Sequence, residues 1–195
     1  MTVLSHPRPR LVNQALRDAQ RWCAGHTIDD RPALAHAVRV AVTIGEHIPA
    51  PAPDLIAAAL LHDVPDFVPS HEELYRTLTE AYGPEVPRII AALQAEHQAL
   101  DQPNPPVVVE DLAVVLASTA DKIVALTSQL RRARASGDVT EFFSRRSRLV
   151  ALLPYFREYS QAARAHTPVG MSAALDVVLN LLDQVESKLP PRVAR

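Results

Sequence analysis

The side chains in this sequence most able to do chemistry interrupt apolar helical runs. His62 and Asp63 follow directly on Ala57-Ala58-Ala59-Leu60-Leu61. A polar group taken out of water without a partner costs on the order of a few kcal/mol, and a lone carboxylate there takes up a proton sooner than stay charged. A divalent cation removes the difficulty, since neutral imidazole and carboxylate are both ligands for Zn, Mn or Fe. Further ligands can be sought by advancing about 100° per residue along the neighbouring helical segments. In the segment 108–135, Leu112, Leu116, Thr119, Ile123, Leu126 and Leu130 form one ridge, and Asp121 points the opposite way among small residues such as Ala117, Ser118 and Ala125. In the segment 32–47, His36 lies opposite Leu34, Val38, Ala41 and Gly45. The set His36, His62, Asp63 and Asp121 therefore comes from three helices, the way bundle-core metal sites are built. Singly, each has a plainer reading: a satisfied core histidine, or an acid at a helix terminus. Adjacent residues on a regular helix diverge, so His62 and Asp63 can share an ion only near the helix end, where Pro65 places it.

The elements that must position these residues are helices. Apolar residues recur every three or four positions over 11–24, Gly25 ends that run, and Pro32 opens the next at a first helical position. The segment 54–63 is apolar on every side and is expected to be buried. Ser70-His71-Glu72-Glu73 matches a capping box, which gives Glu73 a structural role. Helices follow over 71–82 and from Pro84 onward, then a proline-rich linker over 101–106 and the longest, central helix over 108–135. Three more are expected at about 139–152, 155–166 and 168–188, the last capped by Thr167-Pro168. No stretch alternates as a strand does. The expected architecture is all-α, an irregular bundle of eight or nine helices in a single domain over 1–195, with a metal-binding core over 11–135 and C-terminal helices over 138–190.

Composition narrows the function. A net charge of −2 with 22% charged residues gives no global attraction to nucleic acid or anionic membrane, so phosphate affinity has to be local. The single cysteine, Cys23, makes no internal disulfide and supplies no cysteine-type zinc site. Its plain reading is a small buried hydrophobe. Residues 1–10 lack the apolar run of a signal peptide, and charge breaks later apolar stretches short of the ~20 residues a bilayer requires. The expectation is a cytoplasmic protein with no membrane and no nucleic-acid polymer as partner.

With these residues in place, the sequence resembles the HD-domain metal-dependent phosphohydrolases, whose pattern is H…HD…D: here His36, His62-Asp63 and Asp121. Pro32-Ala33-Leu34-Ala35-His36, Ala58-Ala59-Leu60-Leu61-His62-Asp63-Val64 and Ala120-Asp121-Lys122 look like the three motif segments in the hydrolase domain of RelA/SpoT-type alarmone enzymes. Ala81-Tyr82-Gly83-Pro84-Glu85-Val86 is similar to the Phe-Gly-x-x-Val between them. The resemblance covers residues 11–132. It implies an all-α fold holding one divalent ion, manganese first with Fe, Mg, Ni or Zn as alternatives, and a metal-bound water as nucleophile toward a small phosphorylated or nucleotide-like substrate. Hard oxygen and imidazole donors without thiolate agree with such an ion.

The departures from that pattern fall on the substrate side. The alarmone hydrolases carry a Glu-Asp pair where this chain has Asp66 and Phe67, leaving Asp66 as the single acid/base candidate. Ala125 stands where an Asn is usual. Ile28 replaces an Arg, and His26 occupies the position of a Gln that contacts substrate. Lys122 is a candidate for holding a phosphate and offsetting charge on phosphoryl oxygens, or else a lysine reaching out of a buried helix. Guanosine tetraphosphate hydrolysis and a catalytically degenerate binding or regulatory module are the alternatives to a general phosphohydrolase. Arg131, Arg132, Arg134, Arg145, Arg146 and Arg148 form two basic clusters, read first as solvated helix faces. His6, His47, His71, His97 and His166 are expected at the surface.

Overall fold

Helix α1 (Arg10–Trp22) ends at Cys23, and Gly25, at φ +80°, turns the chain out of it. The computed structural model describes residues 2–28 and 30–189. A two-residue antiparallel pair follows, β1 (Thr27–Ile28) with β2 (Arg31–Pro32), registered Thr27 to Pro32 and Ile28 to Arg31. This hairpin is too short to alternate, so hydrophobic patterning does not reveal it, and Pro32 ends a strand instead of opening α2 (Ala33–His47).

Helix α3 (Pro53–Leu61) has Pro53 in its first turn, and all of Leu55 to Leu61 are buried. Its apolar circumference is matched by neighbours on several sides, since α1, α2, α5 and α6 all pack against it. Pro65 then breaks the chain into a 3₁₀ turn, Val64–Phe67. Helix α4 (His71–Tyr82) is capped by the Ser70 hydroxyl, which accepts from the Glu73 N–H, and α5 (Glu85–Ala99) runs on to the proline-rich linker.

Helix α6 (Leu112–Ala135) starts four residues later than expected because Asp111 caps it, its carboxylate accepting from the Val114 N–H. By length and composition α6 is apolar enough to cross a membrane, but more than half of its most apolar stretch is buried within the fold. Leu112, expected on a packed ridge, is exposed at the first turn.

The expected helix over 139–152 is two: α7 (Val139–Ser144) and α8 (Ser147–Ala151). Apolar spacing lapses at Arg145-Arg146-Ser147-Arg148, so one turn has nothing to bury and the chain bends. Helix α9 (Leu153–Ala163) and α10 (Val169–Glu186) complete the chain. Thr167 does not cap α10; its hydroxyl bonds back to the Ala163 carbonyl. The described residues thus hold ten α-helices, with one hydrophobic cluster running from Val12 to Leu182.

Candidate metal centre

Three helices deliver the four expected ligands to one place. Asp121 accepts from His36, whose Nε2 lies 2.8 Å from its Oδ1. His62 Nε2 is 3.6 Å from the same oxygen and 3.3 Å from Asp63 Oδ2, while His36 Nε2 is 3.8 Å from Asp63 Oδ2. Ligand atoms of His36, His62 and Asp121 lie within 4.8 Å of one another, and Asp63 stands beside this group of three. His62 and Asp63 converge because α3 stops at Leu61 and the chain turns tighter through the 3₁₀ segment, closed by Asp66 N–H donating to the Asp63 carbonyl at 3.0 Å.

The donor set fits a divalent ion, and the decisive sign is what these atoms lack. His62 is 2% exposed. Its Nδ1–H donates to the Ala59 carbonyl at 2.9 Å, which leaves Nε2 as the ring atom aimed at the centre. That Nε2 and Asp63 Oδ2 are both buried without a hydrogen-bond partner. The two atoms stand 3.3 Å apart without hydrogen-bond geometry between them, and a cation set against both would satisfy them. Electrostatics agree. Burial opposes a charged His62, but the carboxylates of Asp63 and Asp121 outweigh it and push the imidazole up to about 9. Burial likewise opposes a charged Asp121, yet the imidazoles of His36, His62 and His97 hold it well below the usual carboxylate range.

His97, expected at the surface, belongs to this cluster. Its Nε2–H donates to Asp121 Oδ2 at 3.1 Å. A signal for it was present: Val86, Ile90, Leu93 and His97 recur at helical spacing along the buried face of α5, so His97 extends a core stripe. Another histidine expected at the surface, His71, also has a structural contact: its Nε2–H donates to the Pro65 carbonyl at 3.0 Å and pins the 3₁₀ turn.

Asp66 is on that turn, exposed to solvent and near enough to the cluster to feel its charges. Burial and the nearby Asp63 charge raise its carboxyl, partly countered by His97, His62 and His71. Phe67 points elsewhere: its ring stacks on His26 with centroids 4.4 Å apart and planes 12° from parallel. His26 is thereby tied to the wall beside the 3₁₀ turn. Ile28 and Ala125 come together with Arg31, His36 and Arg39 in one shallow hollow beside the centre.

Lys122, adjacent to Asp121, turns about 100° away around the helix. Its Nζ donates to Glu96 Oε1 at 2.5 Å and to Ser118 at 2.8 Å, and stands 4.2 Å over the Tyr159 ring. Tyr155 also donates to Glu96 Oε1, at 2.8 Å. Lys122 is 4% exposed, a buried ion pair and not a lysine reaching solvent. The basic clusters are largely spent in ion pairs and stacking. Arg132 meets Asp30, Arg145 meets Glu141, Arg148 meets Asp101, and the Arg146 guanidinium lies 3.6 Å over the Phe142 ring.

No family model matches the sequence, and no curated protein matches it either. Among solved structures, a metazoan ortholog of SpoT, described as hydrolysing ppGpp and playing a role in starvation responses, superposes with a TM-score of 0.63. The match covers 91% of this chain and 98% of that one at 14% identity. This chain has the fold of that hydrolase. The all-α fold that the resemblance implies is therefore the fold observed.

Proposed function

We propose that the protein is a metal-dependent phosphohydrolase of HD type acting on a small phosphorylated or nucleotide-like substrate. The observation that carries this reading is the pair of buried, unpartnered donor atoms, His62 Nε2 and Asp63 Oδ2, facing the His36 and Asp121 side chains. These four residues would hold the ion, manganese before Fe, Mg, Ni or Zn. When bound, such an ion polarises a phosphoryl oxygen and makes water acidic enough to act near neutral pH.

The chain's own residues supply the rest. Asp66, with its raised carboxyl, orients the attacking water and accepts its proton. His97 holds the outer oxygen of Asp121, fixing how that carboxylate presents its other oxygen. His26, stacked on Phe67, and the Arg31 and Arg39 side chains that flank His36 would contact the substrate's outer groups. Lys122 acts through Glu96 as a positioning residue, since taking up a phosphate would break its buried ion pair.

The experiment loads the protein with Mn²⁺ and screens nucleotides, ppGpp and simple phosphate esters. At least one substrate turns over, and Asp63→Ala abolishes both metal content and turnover. A fully metal-loaded protein that cleaves nothing in the screen would overturn the reading. A second reading, a ligand-binding module that holds its phosphorylated ligand uncleaved, is favoured by one observation: Phe67 stacks on His26 where the resembled hydrolases carry a second acid. If the site is drifted in that way, Phe67→Asp combined with Ala125→Asn creates hydrolysis from a low or absent baseline.

A further inference from the structure

A groove of about 380 Å³ lies along the seam of α5 and α6, and none of His36, His62, Asp63, His97 or Asp121 lines it. Its floor is built from Ala92, Ala95 and Ala99, which recur at helical spacing on α5, and from Val114 of α6. Pro106 and Val108 of the linker form one wall. Val108 is 61% exposed, and Leu112 at the same end is 58% exposed. Small side chains on the helix let a flat apolar body approach the backbone closely. The volume is that of an ordinary small-molecule site.

The charged residues that line the groove are all acidic. Glu96, Glu110 and Asp111 line it, and no basic residue does. Glu96 is neutralised by Lys122 beneath the floor. At the rim, Arg88 is shared between Glu85 and Asp111, two carboxylates to one guanidinium. Glu110 adds a further negative charge and is exposed. An anion is repelled here, whereas a cation with an apolar body finds complementary walls and rim. The metal cluster takes the opposite chemistry, an anionic phosphate.

We propose that this groove is a second binding site, for an amine with an aromatic or aliphatic body. The body lies on Ala92, Ala95, Ala99 and Val114, and the ammonium lies at the rim beside Glu110. The proposal stands independently of the hydrolase reading, since it uses none of the metal-centre residues.

Calorimetric titration of the full chain with phenethylamine and with 3-phenylpropionate tests it, the two probes having similar bodies and opposite charge. The amine binds at least tenfold more tightly than the carboxylate. Ala95→Trp, an exposed helical position that fills the groove, abolishes amine binding while the far-ultraviolet circular dichroism stays native. Glu110→Lys weakens the amine about tenfold and narrows or reverses the preference. Equal affinity for the two probes, no amine binding at millimolar concentration, or binding indifferent to Ala95→Trp would each overturn the proposal. So would concentration-dependent dimerisation abolished by Ala95→Trp, which would assign the groove to a second copy of the chain.

Discussion

His97 donates to the oxygen of Asp121 that faces away from His36, and so decides how that carboxylate is turned. A partner of this kind, one bond removed from the ion, typically changes metal affinity by about 10–100-fold when lost. His97→Ala is accordingly expected to weaken Mn²⁺ binding by about that factor without abolishing it, read by competition against a chromophoric chelator. Unchanged affinity would deny His97 this role. The Lys122–Glu96 pair makes a separate prediction. Burial alone would raise Glu96 and lower Lys122, but each is moved the other way by its partner: Glu96 is held low and Lys122 is held high. A depressed carboxylate contributes stability above its unfolded value, lost as pH falls through the folded one. A raised lysine contributes stability below its unfolded value, lost as pH rises through the folded one. The pair should therefore support a stability plateau between these limits, flattened in the double variant Glu96→Leu Lys122→Met. Glu96→Ala alone leaves a buried lysine uncompensated and should cost about 3–5 kcal/mol, measured by urea unfolding at neutral pH.

Within single elements, the 3₁₀ turn Val64–Phe67 carries the acid/base candidate and is held from α4 by His71. His71→Ala removes the bond to the Pro65 carbonyl. It should leave metal content intact, speed amide exchange at Asp66 and Phe67, and lower turnover chiefly through kcat; exchange identical to wild type would show that the turn holds itself. The elements also explain what could be read beforehand. His36, His62, Asp63 and Asp121 were legible because polar side chains on apolar helices have no cheap alternative to a shared partner. His97 was harder, since α5 carries polar residues on its exposed face and one more histidine breaks no pattern until its stripe is followed from Val86. The β1–β2 pair escaped because two residues cannot display a period of two. The ion pair of Lys122 was invisible for another reason: Glu96 is 26 positions away, and only tertiary packing brings it there.

For the molecule as a whole, the cluster joins α2, α3, α5 and α6, so an ion bound there ties together helices far apart in sequence. Ligand linkage gives about 2.7 kcal/mol when the free ion is at 100 times its Kd. For a chain of this length that corresponds to a rise in Tm of roughly 5–10 °C. Thermal unfolding with saturating Mn²⁺ and with excess EDTA should differ by that much, and the difference should vanish in Asp63→Ala. A shift that persists in the variant would locate the stabilising ion elsewhere.

Neighbouring residues on α5 and α6 divide their duties: His97 and Asp121 meet on one side of the seam, and Glu96 and Lys122 meet on the other. Two fastenings set about 100° apart around each axis leave the helix pair a single angular setting, because rolling either helix to shorten one contact stretches the other. The orientation of the face that carries His97 and Asp121 is thus locked by an ion pair outside the cluster, and the cluster's aim is set by the fold itself.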